Sequence, residues 1–197
     1  MDLKLLFSII ATAIGVAAFF PYLRDTFSRR TKPHPYTWLI WGITQGTAVA
    51  GIWHGGGGWG ALNLMVGTVF VIIVFLVSLK YGTRNITKSD TVILIAALIA
   101  IVVWWQLDQP LIAVIMISAI DVIGYVPSFR KSYQEPWSEY LVTWIAFCVA
   151  NVFTIWALGE YNLLTTTYLI TITAANLSFL LFCVYRRQFV PQPHPRQ

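Results

Sequence analysis

The sequence predicts an all-α membrane protein with seven transmembrane helices, and three observations carry this prediction. The chain has 197 residues, of which 57% are hydrophobic and only 11% are charged, whereas soluble domains carry about 25% charged residues. Seven apolar runs approach the length that a ~30 Å hydrocarbon core requires. Basic residues collect at the ends of alternate runs, which is the pattern of membrane proteins.

Each apolar run is expected to form a helix, because backbone polar groups in lipid must pair within their own segment. A barrel strand would alternate polar and apolar residues, and these runs are apolar on all faces. Short polar or glycine-rich breaks such as HGGGGWG separate them and predict turns. The predicted spans are residues 5–23, 36–53, 59–79, 91–105, 111–129, 140–158 and 163–185.

The distribution of basic residues predicts the orientation. With seven spans, the loops after spans one, three and five lie on the same side of the membrane as the C-terminus. That side holds twelve of the thirteen Lys and Arg residues, and Lys4 lies on the other side. Because cytoplasmic loops are rich in Lys and Arg, we expect an outside N-terminus and a cytoplasmic C-terminus, in the plasma (inner) membrane. The net charge of +5 does not indicate nucleic acid, because no basic face is present.

Two stretches of 19 residues repeat the same pattern: FPYLRDTFSRRTKPHPYTW at 20–38 and VPSFRKSYQEPWSEYLVTW at 126–144. Their shared residues are 106 positions apart, including Pro21 with Pro127. Three helices end on the side opposite to their start, so a fourth span must restore the direction before the unit repeats. The sequence therefore predicts a first three-helix repeat at 1–88, a linker transmembrane helix at 89–107, a second repeat at 108–187 and a cytoplasmic tail at 188–197.

This organisation resembles the PQ-loop proteins, which include the SWEET and SemiSWEET (MtN3/saliva) sugar carriers. The resemblance rests on Phe20-Pro21, Val126-Pro127, Arg24, Arg130 and the basic loop 30–32. It implies two parallel three-helix bundles joined by an inversion helix (3+1+3). The Pro-Gln pair of that family is not intact, because Tyr22 follows Pro21 and Ser128 follows Pro127. The prolines are predicted hinges, since proline removes a helical hydrogen bond; the alternative is that they only end helices.

Polar residues inside the predicted spans are candidates for a substrate site, because burying them in lipid is costly. Gln45 and Asn151 lie 106 positions apart near the middle of spans two and six. Trp41 shares the helical face of Gln45, and amides can both donate and accept hydrogen bonds. The alternative is that these amides only join helices to one another.

Asp121 lies deep within the fifth span, where its repeat equivalent is Gly15. No Lys or Arg in spans five to seven is available to pair with it. A proton relay, a counter-ion for a cationic solute and an acceptor for hydroxyl groups all remain open as its role. Asn176, within the seventh span, is a further polar candidate. The family resemblance implies binding roles for Asn176 and Trp156.

These residues predict a transporter that moves a small polar, sugar-like solute by alternating access. The alternative is a receptor or sorting protein of the same fold that binds a ligand without transporting it. An enzyme is not expected, because no catalytic constellation occurs. We also expect no cofactor, no metal ligands and no nucleic-acid partner; the lipid bilayer is the predicted surrounding. Proton coupling and assembly into a homo-oligomer remain open.

Overall fold

The computed structural model describes residues 2–106 and 109–192, without the side chains of residues 100 and 103–105; Arg196 and the end of the predicted tail lie outside this range. The described residues form α-helices and short 3₁₀ turns without any strand, which confirms the predicted all-α class. The helices are α1 (Leu3–Phe27), α2 (Pro35–His54), α3 (Ala61–Tyr81), α4 (Lys88–Trp105), α5 (Pro110–Gly124), α6 (Val126–Gln134), α7 (Leu141–Trp156) and α8 (Leu163–Arg187).

Four helical segments are long and apolar enough to cross a membrane: Leu3–Phe27, Gly58–Tyr81, Pro110–Gln134 and Leu163–Arg187. Helix α7 is apolar but shorter. The outward faces expose many large apolar side chains, among them Val69, Leu76, Ile99, Ile145 and Leu181. Because soluble proteins rarely expose apolar patches of this extent, these helices indicate an integral membrane protein.

Proline and polar caps start several of the helices. Pro35 and Pro110 occupy the first turns of α2 and α5, where the missing N–H would have no helical partner anyway. Asn162 caps α8 through a reciprocal pair of hydrogen bonds with Thr165. In the glycine-rich turn, Gly56 (φ 80°) and Gly58 (φ 53°) are left-handed, a conformation that glycine adopts without steric cost.

The fifth predicted span is not one uninterrupted helix. It divides at Tyr125, whose N–H bonds to the carbonyl of Val122, three residues back instead of four. Pro127 follows in the first turn of α6. Pro21, by contrast, lies inside the continuous helix α1. The two predicted hinges therefore occupy different local structures.

The helices pack in two similar sets. Helix α3 packs on both α1 and α2, and α8 packs on both α5 and α7. Between the sets, α1 packs on α7 and α2 packs on α5, while α4 lies against α5 and α2. Equivalent helices thus exchange partners: the first helix of each set lies against the second helix of the other.

The repeated Thr-Trp pairs lie at this exchange. The Thr143 hydroxyl donates to the carbonyl of Ala18 at 3.0 Å, three residues before Pro21. In the other set, the Ser128 hydroxyl donates to Thr37 at 3.0 Å, next to Pro127. Each threonine therefore holds the proline segment of the opposite set.

The basic loops meet at one end of the bundle. Lys32 lies 3.0 Å from Glu135, and Arg130 reaches back to Asp90 at 2.6 Å. At the opposite end, the Lys4 ammonium donates to the carbonyl of Gly159 at 2.6 Å, beside the glycine-rich turn. The loops after α1, α3 and α6 thus share one end of the molecule, and the N-terminus lies at the other.

Candidate functional site

A partly open cavity lies between the two sets of helices, with about 660 Å³ of space between its atoms when the open solvent at its mouth is counted. Aromatic and amide side chains make up much of its wall. Within the described residues, the lining includes the carboxylate of Asp121 and no Lys, Arg, His or Glu. The cavity is therefore a largely apolar chamber with one acidic group.

The lining repeats along the sequence. Five pairs of lining residues are each 106 positions apart: Gly15 with Asp121, Phe19 with Tyr125, Trp38 with Trp144, Trp41 with Phe147, and Gln45 with Asn151. Three pairs on α3 and α8 are 105 apart: Asn63 with Tyr168, Gly67 with Ile172, and Val71 with Asn176. Both repeats therefore turn equivalent faces of equivalent helices toward one cavity.

Five of the six predicted binding residues line this cavity: Gln45, Asn151, Asp121, Asn176 and Trp41. Trp156 does not. Its side chain is half exposed, and its ring lies 5.6 Å from that of Phe7. Trp156 lies five positions after Asn151, which places the two side chains about 140° apart around the helix at 3.6 residues per turn. Trp156 therefore points away from the face that Asn151 presents.

Asp121 is buried and holds its carboxylate through one oxygen. The hydroxyls of Thr44 and Tyr168 both contact Oδ1, the latter at 3.1 Å. Its second oxygen, Oδ2, makes no hydrogen bond within the described residues, and no Lys or Arg among them pairs with it. Because an unpaired acidic group at membrane depth is costly, Oδ2 is a candidate group for binding a solute in the cavity.

The amides divide between two roles. Gln45 joins α2 to α3 by donating from Nε2 to the carbonyl of Leu64 at 3.3 Å. Asn176 accepts a 2.5 Å hydrogen bond from the Tyr125 hydroxyl. The buried Nδ2 of Asn151, however, has no partner within the described residues. Joining helices thus accounts for the amide of Gln45 and leaves the Asn151 donor free for a ligand.

The sequence analysis missed two residues that line the cavity, Tyr125 and Tyr168, and it missed Thr44, which contacts the Asp121 carboxylate. Tyr125 could have been found, because it lies 106 positions after Phe19 on the face that carries Asp121. Tyr168 was hidden by the change of offset to 105 on the third helices. Asn63, which donates to the Thr154 hydroxyl at 2.7 Å, is its counterpart in the first set.

Side-chain packing closes the cavity toward the end of the bundle where the basic loops meet, which we call the basic end. Trp38 and Trp144 are both 2% exposed and belong to one apolar cluster with Tyr22. Below them, Trp144 donates from Nε1 to Glu139 at 3.2 Å, and Glu139 forms a fully buried ion pair with Lys131. A second apolar cluster, which includes Ile52, Leu64, Ile117, Leu158 and Leu169, lies on the other side of the cavity.

No family model, curated protein or solved structure matches the chain. The resemblance to the PQ-loop proteins therefore remains a hypothesis based on the repeated segments.

Proposed function

We propose that this protein is a transporter that moves a small polar solute across the membrane by alternating access. The observation that carries the proposal is the cavity itself, whose wall is built from matching faces of two repeated helix sets. Parallel repeats with a solute site at their interface are a common plan of secondary transporters. Gln45, Asp121 and Asn176 lie near the middle of their helical segments, as a site at the membrane midplane requires.

The 3+1+3 arrangement of the PQ-loop and SWEET proteins is part of this proposal. The packing of α3 between α1 and α2, and of α8 between α5 and α7, supports two equivalent three-helix units. Helix α4 would be the inversion helix, with units at 1–88 and 108–187. The clustering of basic loops at one end supports an outside N-terminus and a cytoplasmic C-terminus in the plasma membrane.

Alternating access requires that the two ends of the cavity open in turn. At the basic end, the buried pair of Lys131 and Glu139 lies beneath Trp144 and would have to separate or move with it. Pro21 and Pro127 are the proposed bending points, since each lies where the opposite set holds its helix through Thr143 or Thr37. Opening one end would shift these contacts together.

Uptake into proteoliposomes tests the proposal. The purified protein would be screened with radiolabelled sugars, amino acids, amines and vitamins, with and without a pH gradient. We expect saturable uptake of at least one solute and a loss of at least tenfold in Asp121→Asn. The matched control is Asp25→Asn, a buried carboxylate outside the cavity, which should keep uptake. Saturable binding without any uptake would instead support the receptor or sorting alternative.

The same preparation tests proton coupling through Asp121. If this carboxylate carries the coupled proton, uptake by the wild-type protein depends on the pH gradient and residual uptake by Asp121→Asn does not. An unchanged pH dependence in Asp121→Asn would remove the relay role.

A further inference from the structure

The chemistry of the cavity wall narrows the class of solute, and this step rests on the proposed binding function of the cavity. The wall carries the Asp121 carboxylate and, within the described residues, no Lys, Arg, His or Glu. A carboxylate in a low-dielectric chamber attracts cations far more strongly than the same group does in water. An anionic solute would meet this charge with nothing to compensate it.

The aromatic side chains near Asp121 point to the same class. The rings of Trp41 and Tyr125 lie 4.4 Å apart between centroids, and those of Trp41 and Trp144 lie 5.8 Å apart. All three line the cavity. The faces of such rings attract alkylammonium ions, and aromatic groups around a cation are a recurrent binding device.

The hydrogen-bond donors of these aromatic groups are already occupied. The Trp41 indole donates from Nε1 to the backbone carbonyl of Asp121 at 3.3 Å, and the Trp144 indole donates to Glu139. The Tyr125 hydroxyl donates to Asn176. The N–H and O–H groups of these rings are therefore already bonded within the protein and are not available to an anion.

The two oxygens of the Asp121 carboxylate differ in their hydrogen bonds. The hydroxyls of Tyr168 and Thr44 fix Oδ1, whereas Oδ2 makes no hydrogen bond in the described part of the chain. We infer that the solute is a small organic cation whose ammonium group binds between the Asp121 carboxylate and the rings of Trp41 and Trp144. The unpaired Asn151 amide would donate to a hydroxyl or carbonyl on the same molecule.

The test uses probes that differ in charge but hardly in shape. Choline and its uncharged carbon isostere, 3,3-dimethylbutan-1-ol, would be titrated into the detergent-solubilised protein, with tetramethylammonium and methylammonium completing the panel. Binding would be followed by tryptophan fluorescence and by calorimetry. We expect at least one ammonium ion to bind saturably, with choline binding at least tenfold more tightly than its isostere.

Substitutions test whether Asp121 and Trp41 cause the preference for choline over its uncharged isostere. In Asp121→Asn, which keeps an acceptor for Thr44 and Tyr168, the ratio between choline and the isostere should fall close to one, whereas Asp25→Asn should keep it. Trp41→Leu should weaken choline about tenfold with little effect on the isostere. If no ammonium ion binds below about 10 mM, or if the isostere binds as tightly as choline, the inference is wrong.

The outcomes separate this inference from transport. Cation binding without uptake in proteoliposomes would sustain the inference and contradict the proposed transport. Uptake of a neutral solute without cation binding would sustain the proposed transport and contradict this inference. The probe comparison on the wild-type protein needs no variant, so a poorly folded Asp121→Asn would not prevent a decision.

Discussion

The two repeats share a scaffold but differ in the chemistry that they bring to the cavity. Phe19 and Tyr125 are equivalent and both 3% exposed, and Trp38 and Trp144 are equivalent and both 2% exposed. At the next equivalent position, however, the first repeat has Gly15 and the second has Asp121. Aromatic packing is thus duplicated, whereas the acidic group occurs once. Symmetry therefore builds the aromatic wall of the chamber, and the departure from symmetry places its acidic group.

The largest expected effect concerns the buried pair at the basic end. Lys131 is fully buried against Glu139, whereas its repeat equivalent Asp25 contacts the largely exposed Arg24. Lys131→Met leaves Glu139 unpaired and should lower the free energy of unfolding by about 3–5 kcal/mol. Asp25→Asn should cost less than about 1 kcal/mol, because its partner Arg24 is largely exposed and lies 3.4 Å away. Thermal and denaturant unfolding in detergent measure both.

The double variant Lys131→Met/Glu139→Leu provides the control. Because it removes both charges, it should recover most of the lost stability, less about 1 kcal/mol for the Trp144 N–H that loses its acceptor. If Lys131→Met alone were as stable as the wild-type protein, the buried pair would have no structural role.

The second prediction concerns the pH dependence of stability. The N-caps of α2 and α7 are equivalent positions, occupied by His34 and Tyr140. Burial lowers the pKa of His34 to about 4, although Asp90 lies 3.5 Å away; Arg130 and Lys131 act in the same direction as burial. The unfolded chain therefore binds a proton on His34 at a higher pH than the folded protein does. The free energy of unfolding is greatest above pH 6.5 and decreases as the pH falls toward 4.

This loss should amount to about 3 kcal/mol. It is checked by comparing the unfolding of the wild-type protein and His34→Gln across this range. The difference in stability between them should shrink as the pH falls, and a constant difference would contradict a neutral, buried His34.

The third prediction compares the proposed hinges. Pro21 lies inside α1, where proline removes a hydrogen bond, so Pro21→Ala should raise the free energy of unfolding by roughly 1–2 kcal/mol. Pro127 lies in the first turn of α6, where proline is tolerated, so Pro127→Ala should change it by less than about 0.5 kcal/mol. If Pro21 bends during transport, Pro21→Ala should also slow uptake. Equal effects of the two substitutions on stability would contradict this difference.

The smallest effect is expected at Gly15. A Cβ added there would lie 3.0 Å from Oδ1 of Asn63, so that side chain must move and weaken its bond to Thr154, at a cost of about 1 kcal/mol. Alanine favours the helix by about the same amount. Gly15→Ala should therefore leave unfolding within about 0.5 kcal/mol of the wild-type value. A larger loss of stability would mean that the Asn63 side chain cannot move away from the added methyl group.

The helical class, most helix positions and much of the cavity wall could be predicted, because hydropathy and the offset of 106 are visible in the sequence. Gln45 and Asn151 were paired in this way. The break at Tyr125 could not be located, since Pro127 is compatible with either a bend or a helix start. The partners of Asp121 were missed because Thr44 and Tyr168 lie on other helices. The burial of Lys131 was missed because a lysine in a basic loop normally faces water.

The bonds from Thr143 to α1 and from Ser128 to Thr37 have a consequence for biosynthesis. As the chain is made, α1 reaches the membrane long before α7, which supplies its most extensive packing and the hydroxyl on Ala18. The first three helices must therefore wait, incompletely packed, until about three quarters of the chain has been synthesised. We expect this early segment, expressed alone, to be degraded rapidly and to be rescued when the remaining helices are supplied as a second polypeptide.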